Sequence, residues 1–246
     1  MLGAGPAYTD RPGALGSAYL VTEGDAALIL DLGQGVFPAL ARHVEPSRSL
    51  GVVVTHLHPD HFIDLVPLRH YLRYEFDPPR RLTVHAPDGL AARLDALHGT
   101  SGFADVALDL VALGPGPIRM GPFQIETVPV LHTADSHAVR VGLLDRPAPG
   151  LVYSGDCGRA MDLAPLIRAG DVLLTEVSFG AGPPPVPDLH LDGTAIAELA
   201  RRRPPARILL THLQMGYDGA ATIDAVRAGF EGPIGFVAPG DRVTLG

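Results

Sequence analysis

The sequence predicts an α/β fold, and two observations carry that prediction. Short apolar runs bounded by Gly, Asp or Pro alternate along the chain with segments of helical apolar spacing. The chain has 246 residues and is 46% hydrophobic, which is enough to bury a sizeable core in one large domain or two small ones. No internal repeat and no long linker divides it. We therefore expect a single domain over residues 1–246, built from two similar strand–helix halves.

The first half contains apolar runs typical of buried strands and segments with helical spacing. Strands are predicted at 17–21, 27–30, 51–54 and 82–85, and helices at 36–44 and 88–97. Pro46 lies just beyond the first helix and ends it. Asp64 is placed to cap a further helix, with Pro67 in its first turn. This half is therefore expected to interleave strands with short helices.

The second half repeats this order. Strands are predicted at 123–130, 138–143, 151–153, 171–177 and 208–210, and helices at 194–203 and 221–228. Pro204 and Pro205 end the first of these helices. The proline-rich segment 182–187 is too stiff for the interior of a strand, so we expect a loop there.

Composition argues against several classes of function. The formal net charge is −8 and the longest basic run is Arg201–Arg203, so extended nucleic-acid binding is not expected, although a small basic site stays open. Cys157 is the sole cysteine, so no intrachain disulfide can form, which suits a reducing compartment. No leader-like N-terminus and no apolar run long enough to span a membrane are seen. We expect a cytoplasmic protein without a membrane segment.

Metal-binding side chains are densest in the segment 55–61, directly after the apolar run 52–54. They are His56, His58, Asp60 and His61. A loop at the carboxyl end of a buried strand is where α/β sheets carry their sites. Imidazole and carboxylate suit zinc, manganese and iron. If the segment is extended or turn-like and stiffened by Pro59, its first two histidines can face one metal, and its last two ligands a second.

Ligand-type residues also follow three later predicted strands. They are His132 after 128–131, Asp156 after 151–155 and His212 after 208–211. Each alone would more often be structural, but together with the histidine-rich segment they predict a two-metal site. His137 competes with His132 for the same role, whereas Cys157 is expected to be a buried structural thiol.

The motif Thr-His-Leu-His-Pro-Asp-His at 55–61, His132, Ser154-Gly155-Asp156 and Leu210-Thr211-His212 together resemble the metallo-β-lactamase superfamily over nearly the whole chain. The resemblance implies an αββα sandwich of two mixed sheets flanked by helices, with two divalent metals, zinc before manganese or iron, at one edge. It implies one metal at His56, His58 and His132, a second at Asp60, His61 and His212, and Asp156 bridging the two.

Further segments resemble the ribonuclease Z-like branch of that superfamily. They are 2–6, 30–35 and 189–200. The resemblance implies that His190 donates a proton near the phosphate and that Glu176 orients and charges it. A histidine held by a carboxylate stays protonated more readily near neutral pH, so the chemistry is reasonable. The alternative is that His190 packs beside the proline-rich loop and Glu176 is a solvated charge at a strand end.

One departure speaks against the processing of transfer-RNA 3′ ends. Many ribonuclease Z proteins insert a long arm that grips transfer RNA between the third and fourth metal motifs, whereas only residues 133–155 separate them here. No basic insertion replaces the arm. The chain is more similar to short armless relatives, some of which hydrolyse cyclic nucleotides or other small phosphodiesters. The resemblance also implies a homodimer.

We therefore expect a dinuclear metal-dependent hydrolase, acting as a phosphodiesterase on a small substrate such as a cyclic nucleotide. Asp60 would help to activate water and His190 would protonate the leaving oxygen. Two other functions stay open. The same metals could polarise the carbonyl of a lactone, thioester or other carboxylic ester, or the fold could serve as a non-enzymatic metal- or ligand-binding module. Arg140 and the loop 179–187 are candidates for lining the substrate pocket.

Overall fold

Two β-sheets form the centre of the molecule in our computed structural model, which describes residues 1–114 and 116–245. The first sheet has the order β1-β2-β3-β4-β5 and is parallel except for the β1–β2 pair. Its strands are β1 (Tyr19–Glu23), β2 (Ala26–Leu30), β3 (Gly51–Val53), β4 (Leu82–Ala86) and β5 (Leu108–Ala112).

The second sheet has the order β12-β11-β10-β9-β8-β7-β6, antiparallel from β6 to β9 and parallel from β9 to β12. Its strands are β6 (Ile118–Met120), β7 (Phe123–Pro129), β8 (His137–Leu143), β9 (Leu151–Tyr153), β10 (Val172–Glu176), β11 (Arg207–Thr211) and β12 (Ile234–Phe236).

Helices cover the outer face of each sheet. They are α1 (Phe37–His43), α2 (Pro59–Phe62), α3 (Leu65–Tyr74), α4 (Leu90–His98), α5 (Gly193–Arg202) and α6 (Gly219–Arg227). Apolar residues of α1, α3 and α4 pack on the first sheet, and those of α5 and α6 pack on the second. The expected αββα layering is confirmed. Among the residues described, no helix is long and apolar enough to cross a membrane.

Alternate residues of the central strands enter different layers of the core. Leu28 and Leu30 of β2 face the second sheet, whereas Ile29 between them faces the helices. In β10, Leu174 faces the first sheet and Leu173 faces the helices. Both faces of these strands are thus buried, which explains why they appear in the sequence as unbroken apolar runs.

Three strands were not predicted, and all lie at or near the edges of their sheets. They are β5, β6 and β12. An edge strand is paired on one side only and keeps exposed residues, so its sequence lacks a continuous apolar run. In β5 the central residues are partly or fully exposed. The other predicted strands and helices are present, β9 with the predicted bounds and the others with shifted ends.

Asp64 does not cap α3 in the predicted way. It occupies the residue before α3 but makes no side-chain cap hydrogen bond there. Its carboxylate instead accepts hydrogen bonds from the backbone N–H groups of Gly35 (3.1 Å) and Phe37 (2.7 Å). Phe37 begins α1, so Asp64 satisfies free N–H groups at the start of that helix. The prediction was wrong about which helix the carboxylate serves.

Candidate metal centre

The ligand-type residues predicted from the sequence converge at one edge of the sandwich. His56 follows β3 of the first sheet, whereas His132, Asp156 and His212 follow β7, β9 and β11 of the second. Parallel strands of a sheet end at the same edge, so short extensions of several strands meet there. The edge therefore combines residues from both halves of the chain.

The segment 55–61 combines the two conformations that the sequence left open, extended and turn-like. His58 is extended, but Pro59–Phe62 forms a single helical turn, α2. Proline is favourable at the first position of a helix because its fixed φ suits the turn and its missing N–H costs nothing there. The turn brings the His61 ring back to 4.2 Å from that of His56, measured between ring centroids.

Three groups of ligand-type atoms lie close enough together to hold one metal each. Two consist of the residues that the sequence predicts as ligands, and the third joins Asp156 to Glu176 and His190. Within each group the atoms lie within 4.8 Å of one another. The first group is His56, His58, His132 and Asp156, and the second is Asp60, His61, Asp156 and His212. Asp156 belongs to both, as a residue lying between two ions must. The structure thus brings together the predicted set, while the binding of metal by each residue stays a prediction.

The donor atoms fit a divalent metal by their chemistry as well as their positions. Among the described residues, Nε2 of His56, Nε2 of His61 and Oδ1 of Asp156 are buried without a hydrogen-bond partner. Buried polar atoms are rarely left unpaired in proteins unless an ion, a water or a catalytic role accounts for them. Nitrogen and carboxylate donors at this density are typical of sites for zinc and related ions.

Carboxylate oxygens of Asp156 face several imidazoles at once. Oδ1 lies 3.2 Å from Nε2 of His61, and Oδ2 lies 3.6 Å from Nε2 of His56. Oδ2 also lies 3.7 Å from Nε2 of His132 and 3.5 Å from Nε2 of His212. The two oxygens therefore face histidines of both predicted ligand groups.

Asp31 hydrogen-bonds several residues of the centre on the side away from the predicted ligand atoms, and it was not among the residues predicted from the sequence. Its carboxylate accepts hydrogen bonds from Nδ1 of His61 (2.7 Å), the Thr55 amide (2.7 Å) and the Tyr153 hydroxyl (2.7 Å). A ligand histidine bonded to a carboxylate through its other nitrogen is oriented and made more basic. Asp31 directly follows the predicted strand 27–30, so the strand-end pattern that identified Asp156 could also have identified it.

Other ring nitrogens have their own partners. Nδ1 of His132 bonds the Leu189 carbonyl at 2.7 Å, and because a carbonyl only accepts, Nδ1 carries a hydrogen and Nε2 is the nitrogen that faces the centre. Nδ1 of His212 lies 3.1 Å from the Ser17 hydroxyl. His58 is reversed, since its Nδ1 faces Nε2 of His132 at 3.1 Å. These contacts determine which nitrogen faces the centre.

Burial and charge shift the pKa values of the cluster in different directions. Burial lowers the pKa of His56, His58 and His212, with neighbouring imidazoles adding to the effect, and so favours the neutral form that binds metals. Burial would also lower the pKa of His61, but the carboxylates of Asp156 and Asp31 raise it well above its usual value. Burial would raise the pKa of Asp156, but the histidines around it, His212 first, hold it well below its ordinary range.

His190 and Glu176 form a hydrogen-bonded pair beside this centre. Nδ1 of His190 lies 2.9 Å from Oε1 of Glu176 and 3.9 Å from Oδ2 of Asp156. Glu176 is fully buried and also accepts from the amides of Cys157 (2.8 Å) and Ser178 (3.1 Å). It is therefore not the solvated strand-end charge of the alternative interpretation.

The pair affects the protonation of His190. Burial alone would lower the pKa of His190, but the Glu176 carboxylate, helped by Asp156, raises it above the usual value. The amides of Cys157 and Ser178 donate to Glu176, so its carboxylate oxygens act as acceptors, also toward Nδ1 of His190. Nδ1 of His190 is committed to that bond, so Nε2 is the atom left for a substrate.

Some candidates lie elsewhere or have another role. Arg140 was expected near the substrate but is buried, with Nε and Nη2 each 2.8 Å from the carboxylate of Asp171. Asp171 directly precedes β10, whose other end carries Glu176 beside the centre. Burial raises the pKa of the Cys157 thiol, in agreement with a structural role. In the described part of the chain, His137 belongs to neither ligand group. Phe179 does lie nearby, with its ring centroid 5.3 Å from that of His190.

This fold and this centre define a metallo-hydrolase, and comparison with known proteins agrees. A family model described as the beta-lactamase superfamily domain matches residues 29–213. The chain therefore belongs to that superfamily. An uncharacterised protein of Mycobacterium leprae is 33% identical over 241 residues, which cover 95% of this chain and 84% of that protein.

Solved structures show the same fold. The metallo-beta-lactamase fold protein YhfI from Bacillus subtilis has a TM-score of 0.85 at 22% identity, covering 98% of this chain and 95% of that one. A diphosphatase of the PhnP family has a TM-score of 0.73 at 15% identity, covering 99% and 96%. The short form of human tRNase Z has a TM-score of 0.71 at 18% identity, covering 100% and 98%. The fold is that of an RNase Z-like branch.

Proposed function

We propose that this protein is a dinuclear metal-dependent phosphodiesterase that acts on a small substrate such as a cyclic nucleotide. The observation that carries the proposal is the pair of His190 and buried Glu176, placed beside the shared carboxylate of Asp156. A protein that only binds metal would have no use for a histidine–carboxylate pair beside its ligand groups. In this pair the histidine uses Nδ1 for the carboxylate and keeps Nε2 for a substrate.

The proposed cofactor is a pair of zinc ions. His56, His58 and His132 would hold one, Asp60, His61 and His212 the other, and Asp156 both. When bound, two divalent ions would lower the pKa of a water molecule and neutralise charge on the phosphate. Imidazole-rich sites suit zinc, whereas manganese and iron are accepted by the same donors.

His190 would supply the proton that the leaving oxygen needs. Its Nδ1–H donates to Glu176, so a second proton at Nε2 makes an imidazolium that the buried carboxylate stabilises. Nε2 would pass that proton to the departing alkoxide as the bond to phosphorus breaks. Asp60, whose Oδ2 lies 3.6 Å from Nε2 of His212, would accept a hydrogen bond from the attacking water.

Two comparisons support phosphorus over carbon as the site of attack. Proteins described as a diphosphatase and as a tRNase Z share the fold over nearly the whole chain. Cleavage of transfer RNA is not proposed, because residues 133–155 contain only β8, β9 and their connecting turns. The net charge of −8 also disfavours a long polyanion.

The test is a substrate panel with purified, zinc-loaded protein. We expect turnover of bis(p-nitrophenyl) phosphate and of cyclic nucleotides, and little turnover of p-nitrophenyl acetate or of simple lactones. The Asp156→Ala variant should lose both zinc and activity, whereas Asp109→Ala, at an exposed pair with Arg81, should lose neither. Strong cleavage of the esters with none of the phosphodiesters would replace the proposal with a carboxylic-ester hydrolase.

A further inference from the structure

Four loops lie beside the candidate metal centre and are joined to one another in series, and we call them the rim. The rim comprises residues 4–16, 130–136, 178–191 and 213–217. Two of these loops contain a predicted site histidine, and a third directly follows one. The fourth, the N-terminal loop 4–16, is joined to the centre because the Ala4 carbonyl accepts the backbone N–H of His212 at 3.0 Å.

Arg11 ties the N-terminal loop to the loop that follows His212. Its guanidinium donates to the carbonyls of Leu213, Gln214 (3.4 Å) and Tyr217 (3.5 Å). The base of the loop is closed by a hydrogen bond from the Gly5 amide to the Leu15 carbonyl, 2.7 Å long. The tip of this loop is thus held at one side of the centre.

The remaining loops complete the rim through backbone contacts. The Gln214 amide donates to the Ser178 carbonyl at 3.3 Å, which joins loop 213–217 to loop 178–191. Gly158 approaches the Asp188 backbone so closely that a Cβ would not fit, and its amide donates to the Leu131 carbonyl. The four loops are therefore joined in series, from loop 4–16 through 213–217 and 178–191 to 130–136.

Every rim loop exposes one large apolar side chain. They are Tyr8, Leu131, Val186 and Met215, which are 36–66% exposed. Each is at most four residues from a site histidine or, for Tyr8, from Ala4, which bonds one. Four residues span at most roughly 14 Å, so each of these side chains is attached within that length of chain from a residue that belongs to the centre or bonds to it.

Apolar exposure gathered around one site indicates a binding surface, whereas isolated exposed apolar residues need no explanation. We propose that the rim binds an apolar, preferably aromatic, group of the substrate, and that Tyr8 is the main specificity-determining residue. An aromatic ring gains most from stacking on tyrosine, and a nucleobase offers such a ring. The proposal rests on the proposed function, because it describes the part of the phosphodiester that does not react.

The experiment measures binding apart from catalysis. Isothermal titration calorimetry on the zinc-loaded protein compares 4-nitrobenzylphosphonate with methylphosphonate, neither of which can be hydrolysed as an ester. We expect the aromatic phosphonate to bind about tenfold more tightly. Tyr8→Ala should remove most of that ratio by weakening the aromatic ligand alone, Tyr8→Phe should keep it, and Met215→Ala should reduce it in part.

Tyr74 provides a matched control. It is 67% exposed at the end of α3, against 66% for Tyr8, and Tyr74→Ala should keep the full ratio. Equal affinities in the wild type, binding of neither phosphonate, or an unchanged ratio in Tyr8→Ala would overturn the proposal. An aromatic preference lost in Tyr8→Ala, in a protein that cleaves no phosphodiester, would retain the rim and reject the proposed function.

Discussion

Hydrogen bonds to the outer nitrogens of the histidines decide which atom faces the centre. The Asp31 carboxylate turns His61, and the Leu189 carbonyl turns His132, so that Nε2 points inward in both. Burying imidazoles without such partners would be costly, since each would keep an unsatisfied polar atom. These contacts pre-orient the cluster for an ion.

A prediction at the scale of single residues concerns His190. His190→Ala should lower kcat/KM on a cyclic nucleotide by about 10²–10⁴-fold, because its alkoxide leaving group needs the proton. The loss on bis(p-nitrophenyl) phosphate should be much smaller, since nitrophenolate leaves readily without a proton. Zinc content should not change, because His190 lies outside both proposed zinc groups.

The comparison of the two substrates separates a chemical role from a structural one. His98→Ala is the control and should change neither activity, because His98 is an exposed residue of α4 away from the centre. Glu176→Gln should show the same pattern as His190→Ala but more weakly, since glutamine accepts the bond without the charge. Equal losses on both substrates would contradict proton donation by His190.

At the scale of elements, carboxylates rather than apolar patterns decide several helix ends. Asp192 and Asp218 accept hydrogen bonds from Ala195 and Ala221, each at 2.8 Å, and start α5 and α6 one and two residues before the positions predicted. Asp64 instead serves a helix distant in sequence. The first kind of cap can be found from spacing, but the second depends on the packing of α3 against α1.

A further prediction concerns the buried ion pair that links Arg140 of β8 to Asp171, the residue before β10. Asp171 accepts two hydrogen bonds from the buried guanidinium of Arg140 and one from the Gly150 amide at 2.7 Å. Removing the charge from one partner of a buried pair is strongly destabilising, so Asp171→Asn should lower the free energy of unfolding by about 3 kcal/mol at pH 7, measured by urea denaturation. Asp109→Asn, at the exposed pair with Arg81, should change it little.

The pH dependence of this difference has a definite sign. Burial would raise the pKa of Asp171, but the bonds from Arg140 and the amides lower it below the ordinary value. A lowered pKa in the folded state contributes stability that is present above about pH 4 and is lost as the pH falls through the folded pKa. The gap between wild type and Asp171→Asn should therefore narrow below about pH 4. A constant gap from pH 7 to pH 3 would contradict this origin.

At the scale of the whole molecule, the centre links the two sheets. His56 and His61 extend from the first sheet, whereas His132, Asp156 and His212 extend from the second. An ion held by ligands from both sheets would cross-link two layers that also meet through apolar contacts and through buried hydrogen bonds such as that of Tyr153 to Asp31. Because those ligands come together only in the folded chain, metal binding would stabilise the fold.

Removal of metal should therefore lower the melting temperature. A chelator is expected to reduce Tm by about 5–10 °C, on the basis of a few kcal/mol of linked binding energy in a chain of this size. Differential scanning calorimetry with and without chelator measures the shift. The chelator should hardly change the Tm of Asp156→Ala, whereas it should lower the Tm of Asp109→Ala as much as that of the wild type. If the chelator leaves the Tm of the zinc-loaded wild type unchanged, the proposed cross-link is contradicted.

The sequence by itself determined the class of fold and the chemistry of the centre. Buried strands appear as unbroken apolar runs because both faces are covered, and ligand residues directly follow them because strand ends meet at one edge. Those signals lie within a few neighbouring residues, so they can be recognised without coordinates. The segment 55–61 is the strongest of them.

Tertiary structure alone decided which distant groups meet. Sequence proximity does not predict that Asp31 bonds His61, that Ser17 bonds His212, or that Arg140 lies with Asp171 away from the centre. The edge strands and the apolar rim could not be predicted from the sequence either, because half-exposed segments have no clear apolar pattern. Such contacts arise where separate elements pack together, and the free energy that selects them depends on the whole fold.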